Sequence, residues 1–437
     1  MNYRNTLLAA ALCAAGINMS VAQDSVSAPA PLLPAERGDT IVIARVTSKN
    51  RSLVDRQIDR LMKSNKVIFI DGKTTDDEKQ QYIDSIRREM GTFYYDQFRH
   101  YDDPAAPYFL FMSRNAGLTM GIGGVARFRA YYDWGGAIPS SAFAPYLIPI
   151  PASPTDVRQF GATPSGCCLY FRVLGRNKVF GKYQIYLEAD FTGYQGRDFR
   201  LKKAYAQFRD FTIGYAPSTF SDPSAIVPMV DANGPASKIA PVNVLFRYMP
   251  TVKKKWLFAV SAECSMAGTN YNLTDSATAK VRSWLPDFDA FAQFQWADGQ
   301  HVRLSAMYHN MTYRNLREDK NRNVAGWGLQ LSSVAHPFRP LTTYVTLCYG
   351  RGYTNLMSDM MIGNYDLVPN PDRPGTMYSP YSYGWSVGLQ YNFLPNLYSC
   401  VTMSQTRYLP NRAVESDEYK YGQLLLSTSS GIPLRAP

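Results

Sequence analysis

Residues 301–314 read His301-Val-Arg-Leu-Ser-Ala-Met-Tyr-His-Asn-Met-Thr-Tyr-Arg314, and the character of the side chains alternates along most of this stretch. One parity holds Val302, Leu304, Ala306 and Tyr308, and the other holds His301, Arg303, Ser305 and His309. Successive side chains of a β-strand point to opposite faces of the sheet, so a period of two separates an apolar face from a polar one. We therefore predict a long strand whose two faces lie in different environments.

The same period of two recurs in segments of about ten residues downstream of Pro104. The apolar parities of these segments are Leu169/Phe171/Val173, Tyr183/Ile185/Leu187/Ala189/Phe191, Val242/Val244/Phe246/Tyr248, Phe288/Ala290/Ala292/Phe294/Trp296 and Trp385/Val387/Leu389/Tyr391/Phe393. Each opposes polar, charged or small residues, and the apolar sets repeatedly end in an aromatic residue. An interfacial girdle of a membrane barrel has this composition.

Connectors of two kinds join these segments. Short ones, such as 251–255, 297–300 and 393–396, alternate with long ones at 135–166, 217–241 and 354–381. About fourteen strands can be recognised, and weak segments such as 277–284 raise the number toward sixteen. The predicted fold class is all-β: a transmembrane antiparallel β-barrel of about 16 strands over residues 105–437, with its short turns in the periplasm. A soluble β-sandwich or jelly roll also alternates and is the alternative.

The N-terminal quarter of the chain has a different character. Residues 1–22 combine Arg4, an apolar core and a small-residue ending, which predicts a secretory signal peptide. Residues 23–40 are rich in Ser, Ala and Pro and are expected to form a flexible leader. Residues 41–104 are predicted to be a small periplasmic region with amphipathic helices, the clearest of which begins at Thr74 and places Tyr82, Ile83, Ile86, Met90 and Phe93 on one face. The apolar face of this helix could pack against the rest of the periplasmic region, or it could join the chains of an oligomer as a helical stalk.

Composition narrows the class further. Aromatic residues make up 14% of the chain, with 31 Tyr and 22 Phe, yet no run beyond the signal approaches the ~18 to 20 apolar residues of a membrane helix. Any spanning segment is then expected to be a strand. The formal net charge of +11 could attract nucleic acid, anionic lipid or small anions, and export argues against nucleic acid.

Catalytic and metal-binding motifs are weakly represented, so we expect no cofactor, no metal and no enzyme activity. The five cysteines after the signal, Cys167, Cys168, Cys264, Cys348 and Cys400, lack CxxC spacing and are expected to behave as isolated small hydrophobes, although a disulfide between distant members stays open. His301 and His309 share a parity, but eight residues of strand separate them by about 26 Å. Gly121-Ile-Gly-Gly124 predicts close strand packing rather than a nucleotide site.

Charged residues of the polar parity would project into the lumen of such a barrel. The predicted lumen-lining residues are Arg127, Arg129, Arg172, Arg209, Arg247, Arg303, Lys182, Lys203, Glu188, Asp190, Asp287 and Asp289. Arginines clustered on one wall would raise the local concentration of anions and bind carboxylates in a forked geometry. A wall of arginines neutralised by carboxylates, which only keeps the lumen wet, is the alternative.

Residues 217–241 are unlike a strand because they are full of Pro, Gly and Asp. Folded inward, this segment would narrow the lumen, with Asp222 and Asp231 either lining the constriction or bracing the segment against wall arginines. An ordinary external loop is the alternative.

The motifs Thr219-Phe-Ser-Asp-Pro223, Val230-Asp231 and Asn233-Gly-Pro235, with Ala204-Tyr-Ala-Gln207, Phe211-Thr-Ile-Gly214 and Met120-Gly-Ile-Gly-Gly-Val-Ala-Arg127, resemble the DcaP-like outer-membrane porin family over roughly residues 105–423. The resemblance implies a sixteen-stranded homotrimer of the Gram-negative outer membrane with a periplasmic N-terminal region. It implies passive diffusion of small hydrophilic solutes, preferentially anions such as dicarboxylates. It carries over only Asp222, Pro223, Asp231, Gly234 and Pro235, as constriction-loop positions.

Two expectations concern the loops and the C-terminus. The alternative function is an outer-membrane adhesin, or a barrel-embedded hydrolase, that acts through long extracellular loops. Barrels of this kind usually end in an alternating strand with a final aromatic residue, which the barrel-assembly machinery reads. Here Glu418–Gln423 begins such a strand, and Leu424–Pro437 is expected not to complete it because the natural frame or terminus is altered.

Overall fold

The computed structural model describes residues 67–69, 77, 81, 84, 109–113, 118–136, 151–152, 154–164, 166–177, 179–191, 198–229, 233–253, 255–297, 299–361, 363–394, 397–410 and 420–430. The signal peptide, the leader and most of the region 41–104 lie outside these residues. The described residues form β-strands joined by turns, loops and short 3-10 turns. None of the helical segments among them has the length and apolar character needed to cross a membrane.

The strands of the first half of the sheet are short to medium in length. They are β1 (Val67–Phe69), β2 (Phe109–Ser113), β3 (Leu118–Val125), β4 (Arg129–Asp133), β5 (Gln159–Thr163), β6 (Cys168–Asn177), β7 (Gly181–Asp190), β8 (Arg200–Phe208), β9 (Phe211–Pro217), β10 (Val242–Tyr248) and β11 (Thr251–Lys253).

The strands of the second half are longer, up to the 19 residues of β16. They are β12 (Trp256–Cys264), β13 (Thr278–Lys280), β14 (Asp287–Ala297), β15 (Gln300–Asn315), β16 (Lys320–Phe338), β17 (Leu341–Arg351), β18 (Val368–Pro369), β19 (Met377–Tyr378), β20 (Tyr381–Leu394), β21 (Leu397–Leu409) and β22 (Lys420–Ser430).

One sheet of 18 strands contains most of these elements. Its body is an up-and-down meander in which each strand is antiparallel to the next, in the order β2-β3-β6-β7-β8-β9-β10-β12-β14-β15-β16-β17-β20-β21-β22. Strands β11 and β13 extend its edges at β12 and β15, and β1 adds parallel to β2. The prediction of an all-β antiparallel sheet of the membrane-barrel type is confirmed.

The two faces of the sheet differ as the period of two predicts. In β15, Arg303 is 0% exposed and its neighbour Leu304 is 53% exposed. The same contrast runs along β12, where Trp256, Phe258 and Val260 are exposed while Ser261 and Glu263 are buried on the opposite parity. A sheet that exposes apolar side chains and buries polar ones is organised for lipid outside and polar groups inside.

Aromatic residues of the exposed face form two bands. At the end of the short turns lie Trp256, Phe258, Phe294 and Trp296, whose rings are in contact. At the end of the long loops lie Trp327, Tyr349 and Tyr381, also in contact. Both bands flank a middle zone of exposed aliphatic residues such as Leu331 and Val387. This arrangement is the pair of girdles expected of a membrane barrel.

Backbone requirements explain the tight turns. Gly299 has φ of +70°, a left-handed conformation that glycine adopts without steric cost, and it closes the turn between β14 and β15. Pro337 lies near the end of β16, where the pairing with β17 shifts register between Ala335 and Phe338. A proline is tolerated there because the ladder is already interrupted.

The two ends of the chain give mixed outcomes. The altered frame or terminus after Gln423 stays a prediction. The strand itself extends further than expected: β22 continues to Ser430, and its backbone pairs with β21 from Leu397↔Ser430 to Arg407↔Lys420. The segment Leu424–Ser430 can do this because a strand needs backbone pairing on its neighbour rather than a strict sequence motif. Of the predicted helix, only Asp77, Gln81 and Asp84 are described, and all three are helical.

The exposed apolar face predicts a depth-dependent response to charge. Leu331→Arg, in the middle zone, is expected to destabilise the folded sheet by about 2–4 kcal/mol, and Leu394→Arg, at the turn end, by about 0–1 kcal/mol, since the guanidinium at the edge reaches the headgroups. Reversible guanidinium unfolding in lipid vesicles measures both. Equal costs at the two positions would contradict the assignment of the lipid-facing surface.

Candidate functional site

Loop 217–241 lies against the polar face of the sheet. It leaves β9 in a tight turn, in which the hydroxyl of Ser221 donates to the carbonyl of Ser218 at 2.8 Å, and then enters a 3-10 turn, Pro223–Ala225. Residues 218–221 are completely buried. Ala225 and Val227 pack on Val334, Tyr344 and Cys400 of the sheet. The loop therefore occupies space on the buried side of the strands.

Glycines on the polar face make room for this loop. A Cβ at Gly388 would lie 2.5 Å from the Val227 side chain, and a Cβ at Gly384 would lie 2.4 Å from that of Ser237. At Gly328 the Phe220 ring is 3.0 Å away. Side chains at these three positions would exclude the loop. The spacing Gly384-x-x-x-Gly388 is visible in the sequence, but alternation alone does not assign these glycines to a loop.

Asp222 is the most densely bonded residue of the loop. One carboxylate oxygen, Oδ2, lies 2.9 Å from Nε2 of His301 and accepts a hydrogen bond from Ser332 at 2.5 Å. The other, Oδ1, accepts from Ser224 at 2.6 Å and lies 3.5 Å from the Arg303 guanidinium. Arg303 also donates to the carbonyl of Ser221 at 3.0 Å. The loop is thereby attached to β15 and β16.

Arg303 is held from its other side as well. Its Nε donates to Gln293 at 2.8 Å, and its guanidinium carbon lies 4.4 Å from the centroid of the Phe291 ring. Both partners belong to β14. An arginine enclosed in this way positions the loop and is not exposed to bulk water. This placement matches the bracing alternative for Asp222.

A second set of contacts fixes the start of the loop. Arg247 donates from Nε to the Thr219 hydroxyl at 2.8 Å and from its Nη2 to the carbonyl of Pro217. Glu263 accepts from the Thr219 backbone N–H at 2.8 Å, from Asn243 at 3.0 Å and from Ser261 at 2.7 Å. Ser218 donates to Asp289 at 3.1 Å. Strands β10, β12 and β14 therefore hold residues 217–219 together.

The charge state of Asp222 follows from these partners. Burial alone raises the pKa of a carboxyl group, but the positive Arg303 and the hydrogen bonds from His301 and Ser224 lower the pKa of Asp222 well below its usual range. Asp222 is therefore a carboxylate at neutral pH. Charge-assisted hydrogen bonds are stronger than neutral ones, so ionisation strengthens the attachment of the loop.

A second loop, residues 352–380, packs against the first. The Asp359 carboxylate accepts from the Ser237 backbone N–H at 3.3 Å and from the Thr406 hydroxyl at 2.6 Å. The backbone N–H of Ser358 donates to the carbonyl of Lys238 at 3.0 Å, and Ile239 forms an isolated bridge with Met357. Sequence analysis predicted a long connector here but missed its role in holding loop 217–241. Aspartates 359 and 366 among apolar residues were the available signal.

Several predicted lumen-lining residues lie on the buried face of the sheet. Arg172, Arg247, Arg303, Glu188, Asp190, Asp287 and Asp289 are all buried there. Lys182 is half-buried at the turn end of β7. Glu188 contacts Lys202 at 2.8 Å and Lys203 at 3.9 Å. These residues are distributed over several strands, and Arg172 lies near Tyr186, away from the contacts of Arg303.

Three other predicted positions lie elsewhere. Arg129 is on β4, which pairs with β5 in a separate two-stranded sheet, so the parity argument did not apply to it. Arg209 is exposed in the turn between β8 and β9, with φ of +50°, and its guanidinium donates to the carbonyl of Val179 at 3.3 Å. Arg127 follows β3, and its backbone N–H contacts Cys167 Sγ at 3.1 Å. Placing Arg129 and Arg209 on the wall by parity was wrong because neither lies within a barrel strand.

The carried-over loop positions are described except for one. Pro223 begins the 3-10 turn, Pro235 is buried, and Gly234 has φ of +79°, which favours glycine. Asp231 lies outside the described residues. The five cysteines after the signal are free. Gly123 lies directly beneath the Tyr170 ring, which confirms the predicted close packing of Gly121–Gly124.

His301 and His309 each lie beside an aspartate. His301 contacts Asp222, and His309 contacts Thr269 at 3.0 Å and Asp287 at 3.9 Å. No group of three or more metal-ligating side chains occurs among the described residues.

Solved structures that are similar to this chain include three outer-membrane proteins. The outer membrane channel DcaP of Acinetobacter baumannii is similar with a TM-score of 0.57 and 18% identity, over 68% of this chain and 81% of that one. An anion-selective porin from Comamonas acidovorans (TM-score 0.34, 9% identity, 72% and 96% covered) and the trimer form of OmpT of Vibrio cholerae (TM-score 0.35, 7% identity, 71% and 96% covered) are more distant.

The first of these similarities shows the fold, and the other two have TM-scores too low to carry an argument. No protein-family model matches the chain, and no curated protein matches its sequence. The class that the sheet defines is the outer-membrane β-barrel. Within that class, the DcaP channel fold is the one this chain resembles, which confirms the predicted resemblance in fold.

The loop contacts predict an energetic coupling between Arg303 and Asp222. Arg303→Met is expected to destabilise the docked loop by about 2–4 kcal/mol because it leaves Asp222 buried with fewer partners. In the Arg303→Met variant, the further substitution Asp222→Asn should add little to this loss of docking free energy. The coupling free energy between the two residues is then about 1–3 kcal/mol. Protease cleavage within loop 217–241 reports undocking. Arg209→Met, in an exposed turn, is the matched control, and additive effects of the two buried substitutions would contradict the coupling.

The low pKa of Asp222 predicts an acid-dependent loosening of the loop. A group whose pKa is lower in the folded state contributes stability above its unfolded pKa of about 3.9, and this contribution is lost as the pH falls toward the folded value. Pepsin cleavage of the loop should therefore increase as the pH falls below about 4. In the Asp222→Asn variant, pepsin should cleave the loop more readily at pH 5, and the rate of cleavage should depend less on pH. An unchanged pH profile in that variant would exclude Asp222 as the titrating group.

Proposed function

We propose that this protein is a porin of the Gram-negative outer membrane, through which small hydrophilic solutes diffuse passively. The observation that carries the proposal is the pairing of two features in one sheet: an exposed apolar face with aromatic bands at both ends, and a buried polar face that binds loop 217–241. A polar interior inside a lipid-facing barrel serves passage of polar solutes. A loop attached to the wall narrows that interior without closing the barrel.

The attachment of the loop determines how the passage is shaped. The loop is bound at its start by Arg247 and Glu263, at its turn by Arg303 and His301, and near its end by Asp359. Attachment at three places along one segment makes the constriction rigid. We expect a fixed opening whose size selects solutes, rather than a segment that opens and closes on binding.

The preferred solutes are proposed to be anions such as dicarboxylates. The formal net charge of +11 supports this preference through long-range attraction, and the resemblance implies it. The alternative is a cation preference, which one observation favours. On the sheet and its two docked loops, eight carboxylates are buried (Glu188, Asp190, Asp222, Glu263, Asp287, Asp289, Asp359 and Asp366) against three arginines (Arg172, Arg247 and Arg303).

The remaining parts of the proposal concern assembly. We propose a homotrimer, an N-terminal region (residues 41–104) in the periplasm, and insertion by the barrel-assembly machinery. The resemblance implies the homotrimer and the periplasmic N-terminal region. The pairing of β22 with β21 supports insertion by this machinery, since a membrane barrel requires each strand to pair with its neighbour.

Planar-bilayer recording tests the proposal. The full chain should form channels of constant conductance. In a salt gradient, the zero-current potential should have the sign expected of an anion-selective channel. Arg303→Met should raise single-channel conductance because the loop is released from the wall. A protein that inserts and does not conduct would refute the porin function. A potential of cation sign, reduced by Asp287→Asn with Asp289→Asn, would replace the anion preference with the cation alternative.

A further inference from the structure

Six side chains form a patch on the lipid-facing surface, at the long-loop end of β16, β17, β20 and β21. The members of this rim patch are Trp327, Tyr349, Arg351, Tyr381, Tyr383 and Arg407. Register places Arg351 opposite Tyr381 and Arg407 opposite Tyr383. The burial pattern of β17 and β21 assigns both arginines to the parity of the exposed residues Leu347 and Met403. Both arginines therefore face outward.

Aromatic rings support the first of these arginines. The Tyr349 and Tyr381 rings stack at 5.7 Å with 8° between their planes, and Trp327 meets both edge-on at 5.8 and 6.2 Å. The guanidinium carbon of Arg351 lies 5.8 Å from the centroid of the Tyr381 ring. An arginine over an aromatic face keeps its planar N–H donors free for another partner.

Among the described residues, no acidic side chain pairs with either arginine. Within the part of the chain that the structure describes, Arg351 and Arg407 take part in no ion pair, and the Nε of each is buried without a hydrogen-bond partner. Other arginines near the long-loop end behave differently: Arg314 pairs with Asp319, and Arg322 pairs with Glu318. Two cations on a lipid-facing surface, with no ion pair among the described residues, favour an anionic partner from outside the chain.

The height of the patch indicates where that partner lies. Tyr381 and Tyr391 mark the two aromatic bands on β20, ten residues apart, which is about 34 Å along the strand at ~3.4 Å per residue. With a strand tilt of ~40°, the bands are about 26 Å apart along the barrel axis, which matches an apolar belt of ~25 Å. Arg351 and Arg407 lie level with the upper band. They are therefore at the depth of lipid headgroups, not of hydrocarbon.

We infer that the rim patch binds the phosphate groups of a phosphorylated glycolipid, lipid A, in the outer leaflet. The inference rests on the proposed function for its location, because long loops face outward in outer-membrane barrels. Guanidinium groups bind phosphate through paired, charge-assisted hydrogen bonds, and aromatic side chains at this depth contact the sugar and the upper acyl chains. Arg351 on β17 and Arg407 on β21 lie on either side of β20, in register with Tyr381 and Tyr383, so one lipid can reach both.

The test compares lipids and variants on the full-length protein in detergent. Native mass spectrometry measures the binding of bisphosphorylated lipid A and of the same lipid with its phosphates removed. The wild-type protein is expected to prefer the phosphorylated form, and R351Q with R407Q is expected to lose about tenfold or more of that affinity, since each arginine at an anionic surface contributes about fivefold. R351K with R407K keeps the charge and should retain an intermediate affinity.

Controls make the outcome specific. R314Q with R322Q removes the same charge at the tip of the β15–β16 hairpin and should bind lipid A as the wild type does. Inorganic phosphate at millimolar concentration should not displace the lipid, and displacement would replace the lipid with a free anion as the ligand. The inference would be overturned if the wild type bound both lipids equally, or if R314Q with R322Q lost as much lipid A affinity as R351Q with R407Q. A trimer that buries the patch and excludes lipid would also overturn it.

Conductance separates this inference from the proposed function. R351Q with R407Q is expected to conduct as the wild type does, because both residues lie outside the lumen. If the wild type conducts and shows no preference for phosphorylated lipid A, the lipid site is refuted and the porin function stands. If the wild type binds phosphorylated lipid A and does not conduct, the porin function is refuted and the lipid site stands.

Discussion

Hydrocarbon offers no hydrogen bonds, and this absence is the constraint on which the whole structure depends. Every backbone N–H and C=O of a strand at membrane depth must be paired with a neighbouring strand. The meander from β2 to β22 satisfies this requirement by antiparallel pairing of each strand with the next. Once the strands are paired, the alternation of side chains follows, because each residue points either to lipid or to the interior.

The same physics makes the interior demanding. Charged groups that leave water need partners, and the polar face carries several of them in places that water reaches poorly. The structure meets the need by bringing loop 217–241 to the wall, so that the Asp222 carboxylate contacts Arg303 and His301. The Thr219 hydroxyl and the Pro217 carbonyl accept hydrogen bonds from Arg247. The loop, proposed above as the constriction, is therefore also the partner that makes a charged wall tolerable. The second loop, through Asp359, secures it.

Parity along a strand is a strictly local property, and this explains which residues could be located from sequence. Arg172, Arg247 and Arg303 lie on the buried face because their segments are regular strands throughout. Arg129 and Arg209 could not be located in this way. The first belongs to a separate two-stranded sheet and the second to a turn, and alternation carries no information once the backbone leaves the large sheet. The continuation of β22 was missed because its pairing with β21 decides it, not its side-chain pattern.

The sequence by itself determined the period of two, the placement of aromatic residues at the strand ends and the contrast between short turns and long loops, since each depends only on neighbours along the chain. Only the folded arrangement shows which arginines meet the loop and which face lipid without an ion pair among the described residues. It also decided that Gly328, Gly384 and Gly388 form the bed of the loop. Those contacts join residues up to 168 positions apart, such as Ala236 and Ser404. Separations of this size are fixed by the register of the strand pairings, which no local pattern encodes.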